Sequence, residues 1–155
     1  MQVFEGMLLS GAEEWQLLVA LLHDTGKTLS LTGEPDEHVD GSNLVLDCPY
    51  EGAGLDNCLL TYSHDEFGYM KLDSVLHADL PFREEILYAV RFHSLHEVED
   101  KWLSEKDRRM FPWLFRVFHV FDHGTKNPAR IPNLQIFHKA RDLIGKYFGE
   151  EKFCW

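Results

Sequence analysis

What most constrains this chain is where its histidine and aspartate residues fall on its apolar periodicity. From Glu14 to Asp24, apolar residues recur at Trp15, Leu17, Leu18, Leu21 and Leu22, the spacing of one helical face. That face runs directly into His23-Asp24 before Gly26 stops it. The conjunction returns three times. A second helix, expected over 57–72 with Asp56 as its cap, carries the stripe Leu60, His64 and Phe67. A third, opened by Pro81 with Glu84 and Glu85 in its first turn, runs through Ile86, Leu87 and Val90 to His93. A fourth starts at Ser104, where Asp107 completes a capping box, and passes Leu114, Val117, Phe118 and Phe121 to reach Asp122. Pro112 falls inside that pattern and predicts a kink or a later start. Pro132 and Asn133 introduce a last helix through Phe137, Ile144 and Phe148. With no strand-length alternation and no internal repeat, the pattern predicts an all-α bundle.

Between the first two helices, residues 28–54 are rich in Gly, Pro, Asp, Ser and Asn and read as one long loop. A chain of 155 residues with 45% hydrophobic and 26% charged residues predicts a single folded domain and excludes wholesale disorder. Its formal charge of −11 repels phosphate backbones and anionic bilayers, so no nucleic-acid or membrane partner is expected. No apolar run approaches the roughly 18 residues of a membrane span. Cys48, Cys58 and Cys154 are odd in number and lack CxxC spacing, and Met1–Ser10 has no signal-peptide pattern; reduced thiols and a cytoplasmic location are the expectation.

The chemistry follows from those interrupted faces. A buried imidazole or carboxylate is costly unless paired, and a divalent cation held by several of them offsets the desolvation. Imidazole nitrogen and carboxylate oxygen without thiolate suit iron, manganese or zinc, and an adjacent His-Asp lets one carboxylate bridge two ions. His64 and His93 exceed what a single His-Asp…Asp site requires, which points to two metals. The remaining histidines, His38, His77, His96, His119, His123 and His138, read as surface or packing residues. Gly26-Lys27-Thr28 is not a phosphate loop, since the glycine that motif needs five places earlier is Leu21, inside a helix. Lys27, four residues after His23, is placed equally well to meet an anionic oxygen near the metals or to be solvated.

The blocks Leu22-His23-Asp24-Thr25-Gly26-Lys27, Gly33-Glu34-Pro35, Gly54-Leu55-Asp56-Asn57, Ser63-His64-Asp65-Glu66, Arg91-Phe92-His93-Ser94 and Phe121-Asp122…Thr125-Lys126 occur in an order that resembles the myo-inositol oxygenase family, down to the terminal Trp155. The resemblance implies an HD-domain-like helical bundle over residues 1–155 and a non-haem di-iron site that uses O2 to open the ring of myo-inositol, giving D-glucuronate. It implies His23 and Asp122 on one iron, His64 and His93 on the other, and Asp24 bridging them. Lys27, Asp40, Gly41, His93, Ser94 and Lys126 would contact the polyol, with Lys27 and Lys126 as the catalytic cations that stabilise alkoxide charge. A monomer is expected.

Against that pattern, the family's further histidine ligand would fall just before Met1, which predicts an N-terminally shortened chain with one iron a ligand short. The 36–53 loop is shorter than its counterpart, and Asp40-Gly41 reverses the family's Gly-Asp order. Two alternatives stand beside the oxygenase reading. One is a metal-dependent HD-domain phosphohydrolase, in which the same ligands hold redox-inert metals; the other is a non-catalytic remnant of the fold.

Overall fold

A computed structural model describes residues 1–149 of the chain. Local sequence chemistry starts three of its helices. Glu13 and Gln16 form a reciprocal capping box ahead of α2 (Glu14–Leu22), and Ser104 with Asp107 forms another ahead of α6 (Glu105–Trp113). The Asn133 side chain accepts from the Ile136 amide at the start of α8 (Leu134–Phe148). α1 (Gln2–Leu9) precedes these, and among them lie a 3-10 segment over Thr25–Thr32, α3 (Asp36–Asp40), α4 (His64–Val75), α5 (Arg83–Phe92) and α7 (His119–Gly124). The mainly helical bundle is of the HD type that the family resemblance implies.

α2 is the hub: α1, α5 and α8 all pack on it, while α4 packs on α5 and on the 3-10 segment. The core is apolar, with Phe4, Met7, Leu18, Val19, Ile86, Val90, Phe92, Leu114 and Phe118 essentially inaccessible. Burying side chains of this size contributes about 1.5–3 kcal/mol each. One carboxylate anchors the packing from within. Asp107, 1% exposed, accepts from the Leu55 amide, the Ser104 amide and hydroxyl, and the Tyr88 hydroxyl, so its desolvation is fully answered by donors.

Several expectations are corrected. α1 was not anticipated, although Val3, Phe4 and Met7 share one face. The helix expected over 57–72 begins at His64 with Ser63 at its N-cap position, and Asp56 instead pairs with Arg91 and Lys106. Leu60 lies in a short antiparallel hairpin of β1 (Val45–Asp47) and β2 (Leu59–Leu60). The 28–54 loop is divided among the 3-10 segment, α3 and β1. That hairpin also overturns the reduced-thiol reading: it brings Cys48 and Cys58, ten residues apart, to a Cα separation of 4.3 Å, and they form a disulfide. Cys154 lies outside the described residues. Just beyond Pro112 the fourth helix widens into a π-helical turn at Leu114–Phe118. The extra residue shifts the helical phase, so Leu114 and Phe118 face the core and Val117 is 40% exposed. Phe137, expected inside, is 41% exposed.

Candidate metal centre

Helix ends supply the candidate ligands. His23 is the C-cap residue of α2 and His93 that of α5, and each turns its Nδ1 back to the carbonyl three residues earlier, Ala20 at 3.2 Å and Val90 at 2.9 Å. These carbonyls lack helical donors, so Nδ1–H satisfies them. The same bond leaves the Nε2 lone pair free, the usual arrangement of a metal-binding histidine. His64 opens α4 and Asp122 lies within α7. Asp24 follows α2 directly and stands in the middle.

The distances divide around Asp24. On one side, His23 Nε2 is 3.3 Å from Asp24 Oδ2 and 3.3 Å from Asp122 Oδ1. On the other, His64 Nε2 and His93 Nε2 are 3.2 Å apart and lie 3.7 and 3.5 Å from Asp24 Oδ1. Asp24, His64 and His93 offer ligand atoms all within 4.8 Å of one another. His23 Nε2, Asp24 Oδ1 and Asp122 Oδ1 are buried and make no well-directed hydrogen bond. Buried polar atoms without such bonds are expensive, and these converge. The donor set is nitrogen and oxygen with no sulfur, so the residues fit one or two hard-to-borderline divalent ions, with Asp24 shared.

Charge balance is supplied locally. Lys27 Nζ lies 3.0 Å from Asp24 Oδ1; Lys126 Nζ lies 2.7 Å from Asp122 Oδ1 and 3.9 Å from Asp24 Oδ2. Burial pushes the Asp24 carboxyl up, but the His23 and His93 imidazoles close beside it, with the charge of Lys27, hold it well below the usual carboxylate range. Asp122 is likewise held low against burial, by His23 and Lys126. Burial disfavours a charged His23 imidazole, yet Asp122 and Asp24 outweigh it and raise His23 above its ordinary value.

Close backbone contact brings α4 to this centre. A Cβ on Gly26 would stand 1.8 Å from the His64 carbonyl oxygen, so only glycine lets the segment after Asp24 pass under the start of α4. Arg91 of α5 then clamps α4 through a bidentate pair with Glu66, at 2.8 and 3.0 Å.

The structure thus gathers His23, Asp24, His64, His93, Asp122, Lys27 and Lys126. It does not gather the others in the same way. Asp40 is exposed at the end of α3, Gly41 caps that helix, and neither touches the cluster. The Ser94 hydroxyl donates to Asp65 Oδ2 at 2.6 Å and accepts from the Asn43 amide at 2.9 Å. Sequence reasoning missed Asp65, which is wholly buried with Oδ1 3.0 Å from His64 Nε2. The signal was present, because His64-Asp65 repeats the His23-Asp24 dipeptide. It also missed His119, whose Nε2 meets the His93 carbonyl oxygen. Burial lowers the His119 imidazole, aided by His123 and His96, against the His93 bond.

Comparison with known proteins bears on this geometry. The family model described as myo-inositol oxygenase matches residues 48–155. Inositol oxygenase of Bos taurus is 31% identical over 92% of this chain and 61% of its own length. Inositol oxygenase of Homo sapiens is 32% identical over 87% of this chain and 58% of its own. That of Danio rerio is 28% identical over 87% and 60% respectively. The chain therefore spans about three fifths of the length of the curated relatives it matches. A family match across more than two thirds of the chain, joined to a histidine–aspartate cluster built by the very blocks that carry the resemblance, shows that the chain belongs to the myo-inositol oxygenase family.

Proposed function

We propose that this protein is an inositol oxygenase, acting on myo-inositol with O2 to give D-glucuronate at a non-haem di-iron centre. The observation that carries this reading is Asp24, whose two oxygens face separate histidine sets, His23 with Asp122 and His64 with His93. His23 and Asp122 would hold one iron, His64 and His93 the other, and Asp24 would bridge them. Bound there, the irons would supply Lewis acidity toward a substrate hydroxyl and the redox capacity to use O2.

The chain's own residues do the rest. Nδ1 bonds to Ala20 and Val90 orient the His23 and His93 rings with Nε2 toward Asp24, so a metal ion would meet rings already aimed at it. Lys27 and Lys126 keep positive charge beside Asp24 and Asp122, and their partly exposed ammonium groups are placed to donate to a polyol oxygen as it loses its proton. A polyol offers little apolar area, so recognition rests on such directed hydrogen bonds. A cytoplasmic setting belongs to the same proposal on the family resemblance alone, since the Cys48–Cys58 disulfide removes the reduced-thiol argument for it; no helix among the described residues is long and apolar enough to cross a membrane.

The test is oxygen uptake by the Fe2+-loaded protein with myo-inositol, with D-glucuronate measured as product. Stoichiometric uptake and product support the proposal. Absence of both, with phosphate released from phosphoesters when Mn2+ replaces iron, would instead assign the site to hydrolysis.

A further inference from the structure

Three histidines that the proposed iron centre does not use stand together beside it. His119 and His123 are four residues apart on α7, which puts them on one helical face, the spacing by which paired helix histidines chelate metals. His96 lies in the segment after α5, three residues beyond His93, and faces both. The ring centroids form a nearly regular triangle: His119–His123 5.5 Å, His96–His123 6.0 Å and His96–His119 6.1 Å.

Metal–imidazole bonds of about 2.0–2.1 Å put two rings on one tetrahedral ion with centroids roughly 5.2 Å apart. The histidine pair proposed to share one iron, His64–His93, stands at 5.1 Å. The outer triangle exceeds that separation by only about 1 Å or less. The ring nitrogens of the three do not converge as those of Asp24, His64 and His93 do, so binding an ion requires rotation of the His96 and His123 side chains, both of which are exposed. His119 is half-buried and its Nε2 is taken by the His93 carbonyl, which leaves Nδ1 as its ligand atom.

We propose that His96, His119 and His123 form a separate transition-metal site, a three-imidazole clamp that joins the segment after α5 to α7. Three neutral imidazoles with no carboxylate or thiolate suit Zn2+, and also Cu2+ or Ni2+, with solvent in the open position. The two elements so joined carry His93 and Asp122, which lie on opposite sides of Asp24. An ion in the clamp would fix their spacing, and through the His119 bond to the His93 carbonyl it would also fix the orientation of His93. The role is structural, and it stands whether or not the inner centre is an oxygenase site.

Zn2+ titration by calorimetry of the full chain tests this, using wild type, Asp24→Ala, His96→Ala, the double variant His96→Ala/His123→Ala, and His138→Ala as a control distant in sequence. Far-UV circular dichroism confirms that each variant folds, which exposed positions 96 and 123 should allow. The expected result is that Asp24→Ala retains one Zn2+, that His96→Ala weakens that ion at least tenfold, that the double variant loses it, and that His138→Ala leaves it unchanged. An ion lost in Asp24→Ala but kept in the double variant would belong to the inner centre and overturn the proposal. So would equal Zn2+ binding by wild type and the double variant, or no Zn2+ bound by Asp24→Ala.

Discussion

Replacing Gly26 by alanine tests how closely the metal centre depends on one backbone crossing. The new Cβ would lie 1.8 Å from the His64 carbonyl oxygen, 2.7 Å from its carbon and 2.9 Å from the Gly68 nitrogen. Side-chain carbons essentially never approach closer than 3.0 Å, so α4 or the 3-10 segment must retreat by at least 1.2 Å. The obstacle is backbone, and no rotamer change relieves it. Overpacking of this kind costs about 1–3 kcal/mol of stability. Its effect on the centre is larger, because His64 begins α4 and metal bonds tolerate only about ±0.2 Å. Metal affinity at the Asp24, His64 and His93 group should fall by about 10–100-fold or more. Co2+ titration followed by visible absorbance, with urea denaturation of the metal-free protein, measures both effects. Two further glycines grade the result. A Cβ on Gly68 would meet Gly26 at 3.1 and 3.2 Å and Val90 at 3.3 Å, so Gly68→Ala should be milder. Gly124 has nothing within 4 Å, and Gly124→Ala should be neutral or stabilising by up to about 1 kcal/mol. If Gly26→Ala bound Co2+ like wild type with unchanged stability, or if the three variants ranked in another order, the close-approach argument would be wrong.

Asp107→Ala leaves the Tyr88 hydroxyl and the Leu55 and Ser104 donors without their acceptor, and should cost about 3 kcal/mol by chemical denaturation; a loss below about 1 kcal/mol would show that water replaces the carboxylate. In the iron-loaded protein, Lys27→Ala and Lys126→Ala should each lower myo-inositol-dependent oxygen uptake by about 10²–10³ while metal content is retained; unchanged turnover would return both lysines to the solvated surface. In the metal-free protein, Asp24 and Asp122 are held below the usual carboxylate range against the push of burial. The unfolded chain then takes up protons first, so their stabilisation is complete above about pH 4 and is lost as pH falls below it. Denaturation between pH 3 and 6 should show that acid limb, and Asp122→Asn should make it shallower; an equally steep limb in the variant would remove Asp122 from the account.

Much of the site was legible in the sequence because its ligands interrupt apolar helical faces, and a polar residue in that position has to be answered by a partner. His23-Asp24 at the end of α2, His93 at the end of α5 and Asp122 beyond the Ser104–Asp107 capping box are local facts, fixed by periodicity and caps. The last helix was equally readable from Asn133. Tertiary structure decided whatever depends on which segments meet. The hairpin, with its Cys48–Cys58 disulfide, arises from pairing Val45 with Leu60 and Asp47 with Leu59, in strands too short to show alternation. Gly26 looks like a simple helix stop until the His64 backbone is laid against it. The π turn at Leu114–Phe118 breaks the very period from which Val117 was assigned inward. Asp65 and the triangle of His96, His119 and His123 acquire meaning only from neighbours on other elements. Periodicity specifies the face a residue occupies on its own helix; which face opposes it is set by packing between elements distant in sequence, and the candidate metal centre lies where those faces meet.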